Sequence, residues 1–264
     1  GDPNFFAAMV LCSLPLLVHC MAAMQSHRLR FFYLVLLLVN SYALILTYSR
    51  GVMLIFIVTI FLLAVEHARR MRVRYLGFLV LALCVIGFFG LRKLPESRIW
   101  DRMQPIVHPR EDPSMQARGS YLLVARQAVA ENPILGSGPG TFPMHYAVSP
   151  YAPYFAREHT FEAYQRAAHN TYMEVLVGTG LSGFIAFGAI LLTGFWFFYR
   201  AQSIYEPLDW RMASYIRALA IGFVAVLASF MFLSDLYHKY IWLFVGLAAV
   251  AMRLADRRRG REQA

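Results

Sequence analysis

At 264 residues, with 59% hydrophobic content and a mean hydropathy of +0.50, the chain is too apolar for an ordinary soluble domain. Its formal net charge of +10 gathers mainly in short loops between apolar runs and at the C-terminus, where it reads as a topology signal; no nucleic-acid partner is needed to explain it. The three cysteines, Cys12, Cys20 and Cys84, fall inside apolar runs, which argues against a disulfide framework.

Seven apolar runs approach the length needed to cross a bilayer as helices: 5–24, 31–48, 52–66, 75–91, 172–199, 214–234 and 240–253. The third and last are short, and 172–199 is long enough to tilt or to begin outside the lipid. The first run lacks a basic leader region and a cleavage site, so it reads as a span and not as a signal peptide. The chain opens at Gly1, without Met, and further helices are expected before it.

Charge sets the orientation. Arg28 and Arg30, then Arg69, Arg70, Arg72 and Arg74, then Arg200 and Arg211, and finally Arg253, Arg257, Arg258, Arg259 and Arg261 share one side. The short loops opposite carry only Arg50 and Lys239. The richer side is the cytoplasm, which places residues 92–170 outside and the C-terminus inside. The expected fold is an all-α polytopic membrane protein of about seven transmembrane helices with one large, mostly helical outer loop. Its parts are transmembrane helices 1–4 (1–91), the loop domain (92–170), transmembrane helices 5–7 (171–253) and a basic cytoplasmic tail (254–264).

Arg50 lies in Thr47-Tyr48-Ser49-Arg50-Gly51, between the second and third runs. A guanidinium at a membrane edge is costly unless paired, and its donor fork suits phosphate oxygens. The alternative is an arginine that snorkels at a helix end. In the outer loop, 92–117 reads as irregular or short helix. Residues 118–131 read as an amphipathic helix, with Tyr121, Leu122, Ala125 and Val129 on one face and Arg118 at its start. Asn132-Pro133 ends it. Gly136-Ser137-Gly138-Pro139-Gly140-Thr141-Phe142 is a glycine-rich turn, 143–158 is rich in aromatics and proline, and 159–168 is a further short helix leading to His169. Arg118 is either an anion contact or a solvated surface residue. His169, at the entry to the fifth run, is placed to take a proton from a hydroxyl arriving from outside; a structural histidine is the competing reading.

Other chemistries find little support. His108, His145, His159 and His169 lack ligand spacing, and Glu111, Asp112, Glu131, Glu158 and Glu162 are scattered, so no metal site is expected. The glycine-rich turn lacks the Gly-Lys-Ser/Thr of a P-loop, and there is no Gly-x-Ser-x-Gly elbow. Gly178, Ser182 and Ala186 form a small-residue face for helix packing. Glu66, Glu174, Asp235 and Lys239 lie near expected helix ends, which argues against a transporter.

Taken in order, Tyr48-Ser49-Arg50-Gly51, Arg118 at a helix, Asn132-Pro133-Ile134-Leu135-Gly136-Ser137-Gly138-Pro139-Gly140-Thr141-Phe142 and His169-Asn170-Thr171-Tyr172-Met173-Glu174 resemble the O-antigen ligase and polymerase superfamily. The resemblance covers roughly residues 1–200. It implies a GT-C-like membrane glycosyltransferase of the bacterial inner membrane, acting at the periplasmic face on a glycan carried by undecaprenyl pyrophosphate. It further implies metal-independent inverting transfer without a cofactor, in which His169 is the base and Arg50 and Arg118 hold the pyrophosphate. Ser49, Asn170, Tyr172 and Gly138 are supporting candidates. The acceptor is lipid A–core in a ligase, a growing glycan in a polymerase, or a Ser or Thr side chain in a protein O-oligosaccharyltransferase. A polysaccharide flippase is the remote alternative. Family members carry more spans than this chain, which again points to helices before Gly1.

Overall fold

The computed structural model describes residues 3–47, 49–68, 113–156, 158–234 and 239–263, and among these every regular element is a helix. The expected span 75–91, Cys84, the 92–112 stretch, Tyr48 and Asp235 lie outside the described residues.

Four helices are long and apolar enough to cross a membrane. They are α1 (Pro3–Ala23) and α2 (His27–Leu46), then, further along the chain, α8 (Thr171–Tyr205) and α9 (Trp210–Ser229). They answer to the expected runs 5–24, 31–48, 172–199 and 214–234. Helix α3 (Arg50–Ala68) holds the run 52–66, but its apolar stretch, Gly51–Ala64, is shorter than a span. Helix α10 (Lys239–Gln263) starts with the run 240–253 and continues without a break through the basic residues. The chain divides into two compact units, Gly1–Lys93 with Ile190–Ser229 and His238–Ala264, and Leu94–Ala189 with Phe230–Tyr237.

In the first unit α1 packs against both α2 and α9, with α3 beside α1 and α9. The cause is an apolar stripe on α1, Ala7, Leu11, Leu14 and Val18, at the spacing that keeps residues on one helix face. Gly222 of α9 lets the two backbones approach: a Cβ there would sit 2.8 Å from the Cys12 carbonyl oxygen.

The unit also buries charge. His19 Nδ1 donates to the Pro15 carbonyl (2.8 Å), and Nε2 stands 2.9 Å from Glu66 Oε2. Glu66 Oε1 accepts from Arg217 (2.8 Å), whose other terminal nitrogen is 3.8 Å from Glu206. The grouping lies toward the ends of α1 and α3 and in the second turn of α9. Glu66 thus sits near a helix end as expected, but its partners His19 and Arg217 lie inside apolar runs and give no sequence signal.

In the second unit α4 (Pro113–Glu131) begins before residue 118, because Pro113 suits a first helical turn, where no N–H is needed. Arg118 is therefore one turn inside the helix. The buried face is Ala117, Tyr121, Val124, Ala125 and Ala128; Leu122 and Leu123 point outward and Val129 is half-buried. The inward face is turned from the one expected because Phe142 and Tyr146 of α5 (Phe142–Ala147) pack onto the alanine side. Short helices α6 (Ala152–Phe155) and α7 (Phe161–Tyr164) follow. Thr160 caps α7, its Oγ1 accepting from the Ala163 N–H (3.2 Å).

Helix α8 is broken at Gly180, whose φ of 63° and ψ of −166° belong to a region open essentially to glycine alone. The 133–138 turn fills the break. Ser137 and Gly138 N–H groups donate to the carbonyls of Val177 and Gly178 (2.9 Å each), which end the first helical stretch. Leu181 and Ser182 N–H groups, which open the second, donate to the carbonyls of Pro133 (2.8 Å) and Ile134 (3.1 Å). A loop thus supplies the bonds that a continuous helix would have made internally. The expected small-residue packing face is corrected here: the break separates Gly178 from Ser182, Gly178 meets the Gly138 and Pro139 backbone, and Ala186 is exposed.

Candidate functional site

His169 directly precedes the N-cap of α8 and is the one non-glycine residue among those described with positive φ, 48°. Such a backbone costs energy and persists where neighbours over-determine it. Asn170 caps α8, its Oδ1 accepting from the Met173 N–H (3.1 Å). Glu174, in the first turn, accepts from the Ala168 N–H (3.0 Å) and from the Ser234 hydroxyl (2.6 Å), tying both strands of chain to the helix start. Thr171 is fully buried; its N–H donates to the Phe230 carbonyl (2.9 Å) and its hydroxyl to that of Leu233 (2.7 Å).

The His169 ring lies over Tyr121 of α4 at 6.2 Å between centroids. One turn earlier on α4, the Arg118 guanidinium sits 5.8 Å above the Phe232 ring. Arg118 and His169 therefore share a neighbourhood made of α4, the start of α8 and the 230–234 segment. Behind them Tyr146 is fully buried, stacks edge-on against Tyr121 (4.8 Å) and shares a hydrogen bond with Ser120 (3.0 Å). Burial pushes the Tyr146 hydroxyl above its ordinary pKa, and the Ser120 bond acts against that shift.

Tyr172 and Gly138 make contacts that serve the fold. Tyr172 is half-buried, edge-on to Phe230. Gly138 has a φ of 107° and spends its N–H on Gly178. Arg50 belongs to the first unit, as the first residue of α3, and Ser49 caps that helix, its buried Oγ accepting from the Val52 N–H (3.4 Å). Among the described residues no group of three or more His, Cys, Asp or Glu is placed to hold a metal ion. Glu174, Ser234 and Phe232 were missed from the sequence. An acid in the first turn after an Asn cap is the one signal that could have drawn attention to Glu174.

The model of the O-antigen ligase family matches residues 32–188, more than half of the chain. The chain belongs to the O-antigen ligase family. Members are glycosyltransferase-like enzymes, and the apolar helices agree with a membrane protein of that family. A search among curated proteins found no match.

Proposed function

We propose that this O-antigen ligase family member transfers a glycan from undecaprenyl pyrophosphate to an acceptor hydroxyl at the periplasmic face of the bacterial inner membrane, with lipid A–core as acceptor. The observation that carries the reading is the family match, which encloses Arg50, Arg118 and His169 together. In the proposed reaction the acceptor oxygen attacks the anomeric carbon from the face opposite the pyrophosphate, so the centre inverts. His169 takes the hydroxyl proton. The breaking glycosidic bond leaves its electron pair on the undecaprenyl pyrophosphate, where Arg50 and Arg118 neutralise the growing charge, a task that falls elsewhere to a divalent metal. The positive φ of His169 supports this role, since strain of that kind collects at functional positions. The topology proposed with it has residues 92–170 outside and the C-terminus in the cytoplasm.

The test supplies detergent-solubilised protein with undecaprenyl-pyrophosphate glycan and lipid A–core, without added metal. Glycan joined to core is the expected product, and it should fall at least about 10²-fold in His169→Asn. Asparagine tolerates the left-handed backbone, so this variant removes the base while keeping the fold. Arg50→Lys should also fail, because a point charge does not reproduce the guanidinium fork. Lengthened lipid-linked glycan would make the protein a polymerase, and full activity in either variant would overturn that residue's role. Inhibition by chelator that Mg²⁺ reverses would overturn the metal-free mechanism.

A further inference from the structure

The turn that fills the break in α8 carries an apolar tip with no protein cover. Ile134 is 67% exposed and Leu135 is 76% exposed. In a soluble protein two such adjacent side chains would be a liability. Here their position is fixed by backbone bonds to a helix apolar enough to span a membrane: the Pro133 and Ile134 carbonyls hold the N–H groups of Leu181 and Ser182, and the Ser182 hydroxyl adds a bond to Ile134 (2.8 Å). The tip must therefore share the depth of Leu181.

That depth follows from the helix itself. From Leu181 to Tyr199 there is no charged residue, and Arg200 follows. At about 1.5 Å per residue this stretch rises roughly 28 Å, close to the ~30 Å of a bilayer's hydrocarbon core. With Arg200 at one interface, Leu181 lies at the other edge of the hydrocarbon. Leu181 and Ile185 are themselves exposed, 54% and 61%, as lipid-facing residues of a span are, and Ile134 and Leu135 continue that surface. Part of the turn's backbone is paired within the protein, and a place at the edge of the hydrocarbon leaves the Ile134 and Leu135 N–H groups to water and headgroups. The Gly136 N–H bonds to the Asn132 carbonyl, Ser137 and Gly138 bond to α8, and the carbonyls of Pro133 and Ile134 are taken.

We propose that Ile134 and Leu135 insert into the acyl chains at the edge of the bilayer and anchor the second unit to the lipid. The occupant is the ordinary phospholipid of the membrane, since the surface is continuous with the lipid face of α8. The proposal rests on α8 being a span and is independent of the reaction assigned above.

The test uses the unaltered protein in phospholipid vesicles containing a phospholipid with a diazirine on its acyl chain. After photolysis, peptides covering 133–135, 144–156 and 181–185 are mapped by mass spectrometry. Adducts are expected on Ile134 and Leu135 at a yield comparable to Leu181 and Ile185. Val148 and Tyr154, exposed in the same unit but without bonds to α8, should carry few. Adducts on 181–185 with none on a recovered 133–135 peptide overturn the proposal and leave the tip to a protein partner or a second copy. Labelling of 148 and 154 as strong as that of 134 and 135 overturns it as well, because the tip would then hold no special depth.

Discussion

His169 illustrates what single residues disclose and conceal. Its type and its place before an apolar run mark it as a candidate from the sequence, because an imidazole at a membrane edge suits proton transfer. Its left-handed backbone and the tie of Glu174 to Ala168 and Ser234 were not legible, since Ser234 is 60 residues from Glu174 along the chain. Tyr146 is a similar case: its aromatic character was plain, its burial against Ala117-side residues was not. The raised pKa of Tyr146 has a testable sign. The folded state holds this proton more tightly than the unfolded state, so its contribution to stability is whole at neutral pH. It is lost as pH climbs through the ordinary tyrosine range and above. Tyr146→Phe should flatten that alkaline loss, measured as melting temperature against pH. At neutral pH the variant should cost only about 1 kcal/mol, because the Ser120 hydroxyl keeps its bond to the Ala117 carbonyl.

At the scale of elements, runs of apolar residues located α1, α2, α8 and α9 with ends within about six residues, because a span must be both long and uniformly apolar. Periodicity turned the buried face of α4, where leucines face out and alanines face in. Tyr121 and Ala125 of the expected face are buried and Val129 is half-buried, but the rings of Phe142 and Tyr146 take the alanine side and leave Leu122 outward. The break in α8 was not legible either, since the pattern runs through Gly180 without interruption. Gly180→Ala tests it. A Cβ there would stand 2.4 Å from both the carbon and the oxygen of the Ile134 carbonyl, on a backbone that alanine avoids. A loss of about 2–4 kcal/mol is expected, from backbone strain and overpacking together. Thermal unfolding and faster amide exchange at Leu181 and Ser182 would register it, and an unchanged melt would show that the junction relaxes freely.

For the whole molecule, charge carried more information than pattern. The distribution of Arg along the sequence yields an orientation, but it does not reveal that His19, Glu66, Arg217 and Glu206 gather in the first unit. Groups of opposite sign stand beside one another there, which is how charge is tolerated in an apolar setting. Removing one member should hurt more than the group stabilises. Glu66→Ala leaves Arg217 with only the more distant Glu206 and is expected to cost roughly 3–5 kcal/mol, whereas Glu66→Gln, which keeps a hydrogen-bonding oxygen for Arg217, should cost less. Melting of the two purified variants separates them; equal stability would mean that water already reaches the cluster.

The joint between the 133–138 turn and α8 is written almost wholly in main-chain atoms: of its five bonds, Ser182 Oγ alone uses a side chain. Its specificity therefore resides in where glycine stands and not in which side chains surround it. Positions 134, 135 and 137 can drift through many residue types and leave the joint intact, while Gly136 and Gly180 have almost no freedom. The chain can thus vary the chemistry it shows at the membrane edge without rebuilding the scaffold that presents it.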